Sequence, residues 1–494
     1  MVLTPFERIT EPDSHARPVF SIELSEFVMA KKQRPKKPNR RSSRGGFPID
    51  NAPLPKSLGQ VNLNAAGIDI GSTQHYVAVP DDRDDARVRC FGTFTSDLES
   101  LADWLHQCRI ETVAMESTGV YWIPVFELLE SRGFEVKLVE PGKLKSVPGR
   151  KTDVLDCQWI QQLHTYGLLA GSFRPNEDIC ILRSYMRQRA MLVSNASEHI
   201  QRMQKAMMEM NVQLHHVISD ITGATGLAIL DAILAGQRDP DKLARLRDPR
   251  CKNDESTIAK ALQGNWRDEH LFALKQSLDL YRFYGSKIAE LDVKLEGHLG
   301  TFEDQSDGKR LPKLKAPKAG SNSPRFDMRN HLYRMLGVDL TGIDGISGQT
   351  AMLLISEIGT DMSKWLTEKH FTSWLCLSPG SKKTGGKLLS GKTRTSANRA
   401  ASALRTAAAS LARSNCALGA FLRRIRARLG SPKAITATAH KLAKIVYGML
   451  KYGKEYVDVG KDYYEQQYEE RARRNLEKRA AALNLQLIPK TANG

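Results

Sequence analysis

Ala65-Ala66-Gly67-Ile68-Asp69-Ile70-Gly71 is an apolar run interrupted by a single acid. Its length and flanking glycines predict a buried strand, with Asp69 at its end. A second run, Thr112-Val113-Ala114-Met115-Glu116, predicts another strand and also closes on a carboxylate. Farther on, Lys151-Thr152-Asp153-Val154-Leu155-Asp156-Cys157 carries two acids three residues apart. If that segment opens a helix, both lie on one face, one turn apart. A charge at a strand end costs several kcal/mol to desolvate unless something compensates it. For four converging acids a hard divalent cation is the simplest compensator, and Mg²⁺ takes oxygen ligands of this kind. Asp69, Glu116, Asp153 and Asp156 are therefore the expected metal ligands and catalytic acids of a phosphoryl-transfer site.

Between these acids the chain alternates strand and helix signals. Asn64 to Val79 holds a strand, a Gly-Ser-Thr turn and a second strand, and Arg87 to Thr95 reads as a third. Ser96 is the expected cap of a helix through Leu98, Leu101 and Trp104. The Glu116 strand, a helix from Pro124 to Arg132 and the strand Phe134 to Val139 follow. Three antiparallel strands followed by alternating helix and strand is a ribonuclease H-like order, not a purely parallel Rossmann one. The expected fold class is α/β plus α. A basic leader (1–60) precedes the catalytic domain (62–178), a helical, coiled-coil-like region (179–300) and a Lys-, Pro-, Gly- and Ser-rich linker (301–333). A mainly helical second domain (335–455) and a charged helical tail (456–494) complete the chain. The stripe Leu274, Leu278, Tyr281, Ile288, Leu291, Leu295 fits either a buried helical pair or an antiparallel or intermolecular coiled coil.

The 494 residues carry 73 Lys and Arg against 55 Asp and Glu, a formal charge of +18 that favours a polyanionic partner. Lys369 to Lys454 contains 18 Lys and Arg and no acid. A solvated surface normally mixes signs, so this stretch reads as a nucleic-acid groove. No apolar stretch reaches the ~18–20 residues of a membrane span, and the N-terminus lacks the apolar core of a signal peptide. Seven scattered cysteines without a C-x-x-C pair argue against a zinc ribbon or disulfide framework and fit a reducing cytoplasm.

Two further segments carry chemistry. In Leu340-Thr341-Gly342-Ile343-Asp344-Gly345-Ile346-Ser347 the glycines Gly342 and Gly345 resemble those of a helix-hairpin-helix, where backbone N–H groups approach a phosphate. Gly380-Ser381-Lys382-Lys383-Thr384-Gly385-Gly386-Lys387 sets hydroxyls among glycines and cations, ahead of Asn398 and Arg399. A hydroxyl in that setting can attack a phosphodiester; without the carboxylates the segment would be a phosphate-binding loop. Lys382, Lys383, Lys387 and Arg399 are the expected phosphate contacts. Gly67-Ile68-Asp69-Ile70-Gly71-Ser72-Thr73 also matches the first phosphate loop of actin-like and sugar-kinase ATPases, but the second phosphate loop and the adenosine site of those enzymes are missing.

In combination, the Glu-Ser-Thr-Gly block at 116–119, the Lys-Thr-Asp-x-x-Asp block and the Gly-Gly-Lys loop resemble the DEDD transposases of insertion sequences related to the pilin-gene invertase. These are the bridge-RNA-guided recombinases. The resemblance covers about 62–180, as a RuvC-like domain, and 335–455, as a transposase domain. It implies a composite active site in which the carboxylates hold Mg²⁺ and a hydroxyl from the second domain forms a covalent protein–DNA intermediate. It further implies double-stranded donor and target DNA, a structured guide RNA that chooses sequence by base pairing, and dimers assembling into a tetramer through the coiled coil. The family's nucleophile is a serine before the Gly-Gly pair. Here Thr384 stands in that place, with a stiffer, more crowded Cβ, and Ser381 and Ser390 are the nearby serines. A Holliday-junction-type hydrolytic nuclease is the main alternative.

Overall fold

The apolar run at Ala65 is the centre of a five-stranded sheet. In a computed structural model of the chain, the structure describes residues 59–141, 153–311, 322–385, 387–453, 456–458 and 460–486. The side chains of Asp153, Lys382, Lys383, Lys387 and Leu388 lie outside that description, as does most of the basic leader. Contacts divide the chain into two units, Met1–Ala170 and Gly171–Gly494.

In the first unit the strands are β1 (Ala65–Ile70), β2 (Gln74–Ala78), β3 (Val88–Gly92), β4 (Thr112–Glu116) and β5 (Glu135–Val139). They lie in the order β3-β2-β1-β4-β5. β1 pairs antiparallel with β2 and β2 with β3, whereas β1, β4 and β5 run parallel. This mixed sheet has the expected antiparallel start and is compatible with a RuvC-like α/β domain. The helices are α1 (Thr95–Gln107), α2 (Trp122–Ser131) and α3 (Asp153–Thr165). On one face, Ile68, Val113 and Met115 share a core with Leu101, Leu105 and Leu129 of α1 and α2. On the other, Ala114 and Val139 pack with Ile160 of α3 and with Leu169. Both faces are covered, so β1 and β4 read as continuous apolar runs instead of alternating ones. The helix expected to be capped by Ser96 begins two residues earlier. Phe94 is its N-cap, and the Asp97 carboxylate accepts the Phe94 N–H at 3.2 Å.

The seat of α3 is Gly67. A Cβ there would lie 2.2 Å from the Gln161 nitrogen and 2.4 Å from the Cys157 carbonyl oxygen, both backbone atoms of α3. Only glycine lets strand and helix backbones approach this closely. At the far end of α3, His164 is buried and shares a hydrogen bond with the Thr112 hydroxyl at 2.9 Å. Burial, then the nearby Lys137 charge, pushes its pKa down to about 4. It therefore folds neutral, and stability drains away as pH falls from the unfolded value toward 4.

The second unit is helical. α4 (Glu177–Glu209) and α9 (Asp268–Gly300), each 33 residues, pair antiparallel. Asp178 meets His298, Arg189 meets Asp292, and the ring of His199 stacks on that of Tyr284. At one end of the pair, α5 (Leu214–Val217), α6 (Ala224–Leu234), α7 (Pro240–Ala244) and α8 (Glu255–Ala261) build a cap around Met203, Met207, Leu230 and Leu274. At the other, Ile179, Leu182, Leu295 and Leu299 join the core of α10 (Met328–Leu336), α11 (Gly348–Ile358), α12 (Glu368–Trp374) and α13 (Arg399–Ser410). α14 (Ala417–Leu429), α15 (Ser431–Tyr452) and α16 (Lys461–Ala482) complete the unit. α10 begins inside the segment expected to be linker, because Met328 and Leu332 are buried and the Asp327 side chain caps the helix. Among the described residues no helix is long and apolar enough to cross a membrane.

Two substitutions test these constraints. Gly67→Ala forces α3 off the sheet and is expected to cost about 3 kcal/mol or more, at the upper end of overpacking effects, read as a lower urea midpoint. The Arg189 guanidinium, 9% exposed, forks onto Asp292 at 2.6 and 3.2 Å. Asp292→Ala strands that charge and is expected to cost ~3–5 kcal/mol, whereas an Arg189→Met/Asp292→Leu pair comes out near neutral in the same unfolding experiment.

Candidate active site

The strand register brings Asp69 and Glu116 side by side. Ala65 lies opposite Thr112 and Ile68 opposite Met115 in the parallel β1–β4 pair, so one step farther the same register aligns Asp69 with Glu116. Side chains alternate across a sheet. Ile68 and Met115 enter the α1–α2 core, so Asp69 and Glu116 belong to the opposite face, where Gly67 and Ala114 meet α3. α3 lies antiparallel to β1: its last turn accepts the Val61 N–H through the Thr165 carbonyl, and Cys157 sits over Gly67. Its first turn, with Asp153 and Asp156, is thus turned toward the end of β1 that carries Asp69.

The electrostatics agree. Burial pushes the Cys157 thiol up to about 12, and the negative charge of Asp69 and then of Asp156 adds to that shift. Both carboxylates are therefore close to one buried sulfur. Asp69, Glu116 and Asp156 are each partly exposed, as groups that meet a substrate must be. Glu116 Oε1 accepts a hydrogen bond from the Thr118 hydroxyl at 2.9 Å, while the Ser117 N–H donates to the Val139 carbonyl. Among the described residues neither Glu116 nor Asp156 is tied up in an ion pair, and no three acidic, histidine or cysteine side chains are already arranged around one cation. The fourth acid, Asp153, is the first residue of α3, with its side chain outside the described residues. Carboxylate oxygens such as those of Glu116 and Asp156 are the ligands a hard divalent ion takes. Thr118 is the position that motif reading left without a role; its signal is a hydroxyl two residues after a strand-ending acid.

In the second unit, the glycine- and lysine-rich segment is a hairpin. β6 (Lys382–Thr384) and β7 (Lys387–Ser390) pair antiparallel, with Thr384 opposite Lys387. The two-residue connection begins with Gly385 at φ +53°, the left-handed conformation that such turns require. Thr384 therefore sits, exposed, at the hairpin tip. Ser381 is exposed before β6, and Ser390 ends β7, its hydroxyl accepting the Lys392 N–H at 3.2 Å. Arg399 is the exposed first residue of α13, after Asn398, whose side chain accepts the Ala401 N–H at 3.0 Å. It lines a cleft with Arg183, Arg187 and Trp374, which the motifs did not mark. Arg183 donates to the Ser356 and Glu357 carbonyls at the end of α11, and Arg187 forks onto the Glu357 carboxylate.

The Gly342–Gly345 segment joins α10 to α11 through one 3-10 turn. A Cβ on Gly342 would meet open space. At Gly345, φ +84°, a Cβ would lie 2.8 Å from the Ala407 carbonyl, so close packing on α13 already accounts for that glycine.

Comparison with known families locates these elements. Residues 66–212 match the model of the IS110-type DEDD transposases, described as a transposase. Residues 338–423 match that of the Transposase IS116/IS110/IS902 family. A comparison with curated proteins found no match. The first match spans β1, β4 and α3 with all four acids; the second spans the hairpin with Thr384 and the start of α13. The two matched segments are similar to transposases of the IS110 type and indicate that the chain is a DNA transposase of an insertion sequence.

Proposed function

We propose that this transposase excises and inserts its element by magnesium-dependent strand exchange through a covalent threonine–DNA intermediate, with sites chosen by a structured RNA. The observation that carries the reading is the alignment of Asp69 with Glu116 on the sheet face covered by α3. Asp69, Glu116, Asp153 and Asp156 would hold Mg²⁺. The ion, when bound, neutralises charge building up on a phosphate oxygen. Thr118 holds the Glu116 carboxylate in one orientation through its hydroxyl.

The attacking group is the Thr384 hydroxyl. Its oxygen bonds to the scissile phosphorus, one deoxyribose oxygen leaves, and the threonine proton balances that oxygen. The phosphothreonine keeps the bond energy of the broken link, so a second DNA hydroxyl can reverse the step without a nucleotide cofactor. Lys382, Lys383, Lys387, Arg399 and the open backbone at Gly342 serve the phosphate backbone. The acid-free stretch from Lys369 to Lys454 supplies the field that holds polyanions. Delegating sequence choice to RNA pairing fits a protein whose cations outnumber its means of reading bases. The antiparallel α4–α9 pair is the coiled-coil element through which dimers would assemble into a tetramer.

The test uses full-length protein, labelled element-end DNA, and RNA transcribed from the non-coding DNA beside the gene. With Mg²⁺, a protein–DNA adduct is expected on a denaturing gel. Thr384→Ala should abolish it, and Thr384→Ser should retain or raise it. Asp69→Asn should cut the yield by roughly 100-fold or more, the scale of losing charge stabilisation at a reacting phosphate, while binding in EDTA persists. Cleavage without an adduct would make the enzyme a hydrolytic nuclease. An adduct that survives Thr384→Ala would move the nucleophile to Ser381 or Ser390.

A further inference from the structure

Where α16 lies against α14 and α15, cations and aromatic rings gather without acids. The Arg424 guanidinium carbon stacks 3.3 Å from the ring centre of Tyr468 and 5.8 Å from that of Tyr464. Lys441 Nζ lies 4.0 Å from the Phe421 ring centre and 5.5 Å from that of Tyr464. Arg471, one turn beyond Tyr468 on α16, adds a third positive charge facing Lys441 and Tyr464. Among the described residues no carboxylate forms an ion pair with Arg424, Lys441 or Arg471. Of the five acids of α16, three pair within the helix, Glu465 with Lys461, Glu470 with Arg474 and Glu477 with Arg473, and among the described residues neither Asp462 nor Glu469 pairs with the three cations. The neighbouring Lys444 has its own partner in Glu368, at 2.7 Å.

One nitrogen of the cluster makes the imbalance acute. Arg424 Nη1 is buried with no hydrogen-bond partner. A buried charge is normally paired, and a lost hydrogen bond to a charged group is the costliest kind. Ring faces offset part of that cost, but they take the flat of the guanidinium and leave its in-plane N–H fork unused. That fork matches a phosphate's oxygens. Burial, then repulsion from Arg471 and Lys444, holds the Lys441 pKa below the usual lysine value, so the free protein pays to keep this ammonium charged. An anion is the missing component.

We propose that this seam is a phosphodiester-binding site, in which Arg424, Lys441 and Arg471 hold the backbone of a nucleic-acid strand and Tyr468, 44% exposed, offers a ring to a base. The second family match ends at residue 423, before all three cations, so the site is an addition to the matched transposase segments. It rests on the reading that the chain handles nucleic acid, and names a second place where it does so. DNA and RNA share the chemistry recognised here, and the experiment separates them.

Full-length wild type, Lys441→Met, Arg424→Gln and Arg471→Gln are titrated in EDTA with duplex DNA and with single-stranded RNA at several salt concentrations. Each variant is expected to lose about 10-fold in affinity for one of the two, with a log–log salt slope shallower by about 1. Lys441→Met should also raise the thermal midpoint of the free protein, because it removes a partly buried cation that no carboxylate pairs among the described residues; a purely structural lysine would lower it. Loss on DNA alone assigns the site to DNA, and loss on RNA alone to RNA. Unchanged affinity and slope in all three variants, while wild type binds, overturn the site and leave the proposed function standing. Tighter binding by the variants also overturns it. A wild type that binds neither polymer overturns both. Arg471 is exposed, so its variant keeps the test decisive if the others fail to fold.

Discussion

The contact between the backbone of α3 and Gly67 of β1 governs the first unit. It puts Cys157 directly over the strand and sets the helix antiparallel to it, so the first turn of α3 ends up beside the end of β1. The parallel β1–β4 register does the rest, by carrying Glu116 to the level of Asp69. Acids that are distant in sequence become neighbours through two backbone relations, neither of which depends on the acids themselves. A protein that must gather mutually repelling charges has good reason to fix their positions with backbone packing.

The second unit solves a different problem, holding an excess of positive charge on a stable helical frame. α13 presents Ala400, Ala401, Ala407 and Ala408 to its neighbours, which permits close packing with small side chains and leaves the arginines for the surface. The long α4–α9 pair is pinned by the buried Arg189–Asp292 fork, which specifies its register more sharply than leucine contacts alone. At the outer edge, α16 contributes tyrosines where carboxylates would have neutralised Arg424 and Lys441. Rings shield cations without cancelling them, so the charge stays available to a phosphate.

Much of the first unit was legible in the amino-acid sequence, because strands buried on both faces read as apolar runs and an acid within such a run stands out. That is why Asp69 and Glu116 stand out at the ends of β1 and β4, and why the antiparallel start of the sheet can be read from the chain. The cap of α1 was misplaced because Ser96 and Asp97 both suit a helix start, and only the fold shows that Asp97 makes the contact with Phe94. Gly67 read as an ordinary strand glycine, since nothing local reveals a helix across the sheet. In the second unit the hairpin looks like a loop in the sequence, because its turn signal, Gly385-Gly386, sits among lysines and serines with little strand propensity. The start of α10 looks like linker for a similar reason, its buried Met328 and Leu332 following a proline- and lysine-rich stretch. Asp292 and Arg424 gave no signal, because a buried ion pair and a ring-stacked cation look like surface charge until their partners, about 100 and 44 residues away, are in place.

The most direct measurement is a titration of full-length protein with Mn²⁺, a paramagnetic stand-in for Mg²⁺, followed by electron paramagnetic resonance. If Asp69, Glu116 and the acids of the first turn of α3 form one site, wild type binds the ion and Asp69→Asn and Asp156→Asn each lose that same binding. Retention of wild-type Mn²⁺ affinity in both variants would show that these carboxylates do not act together.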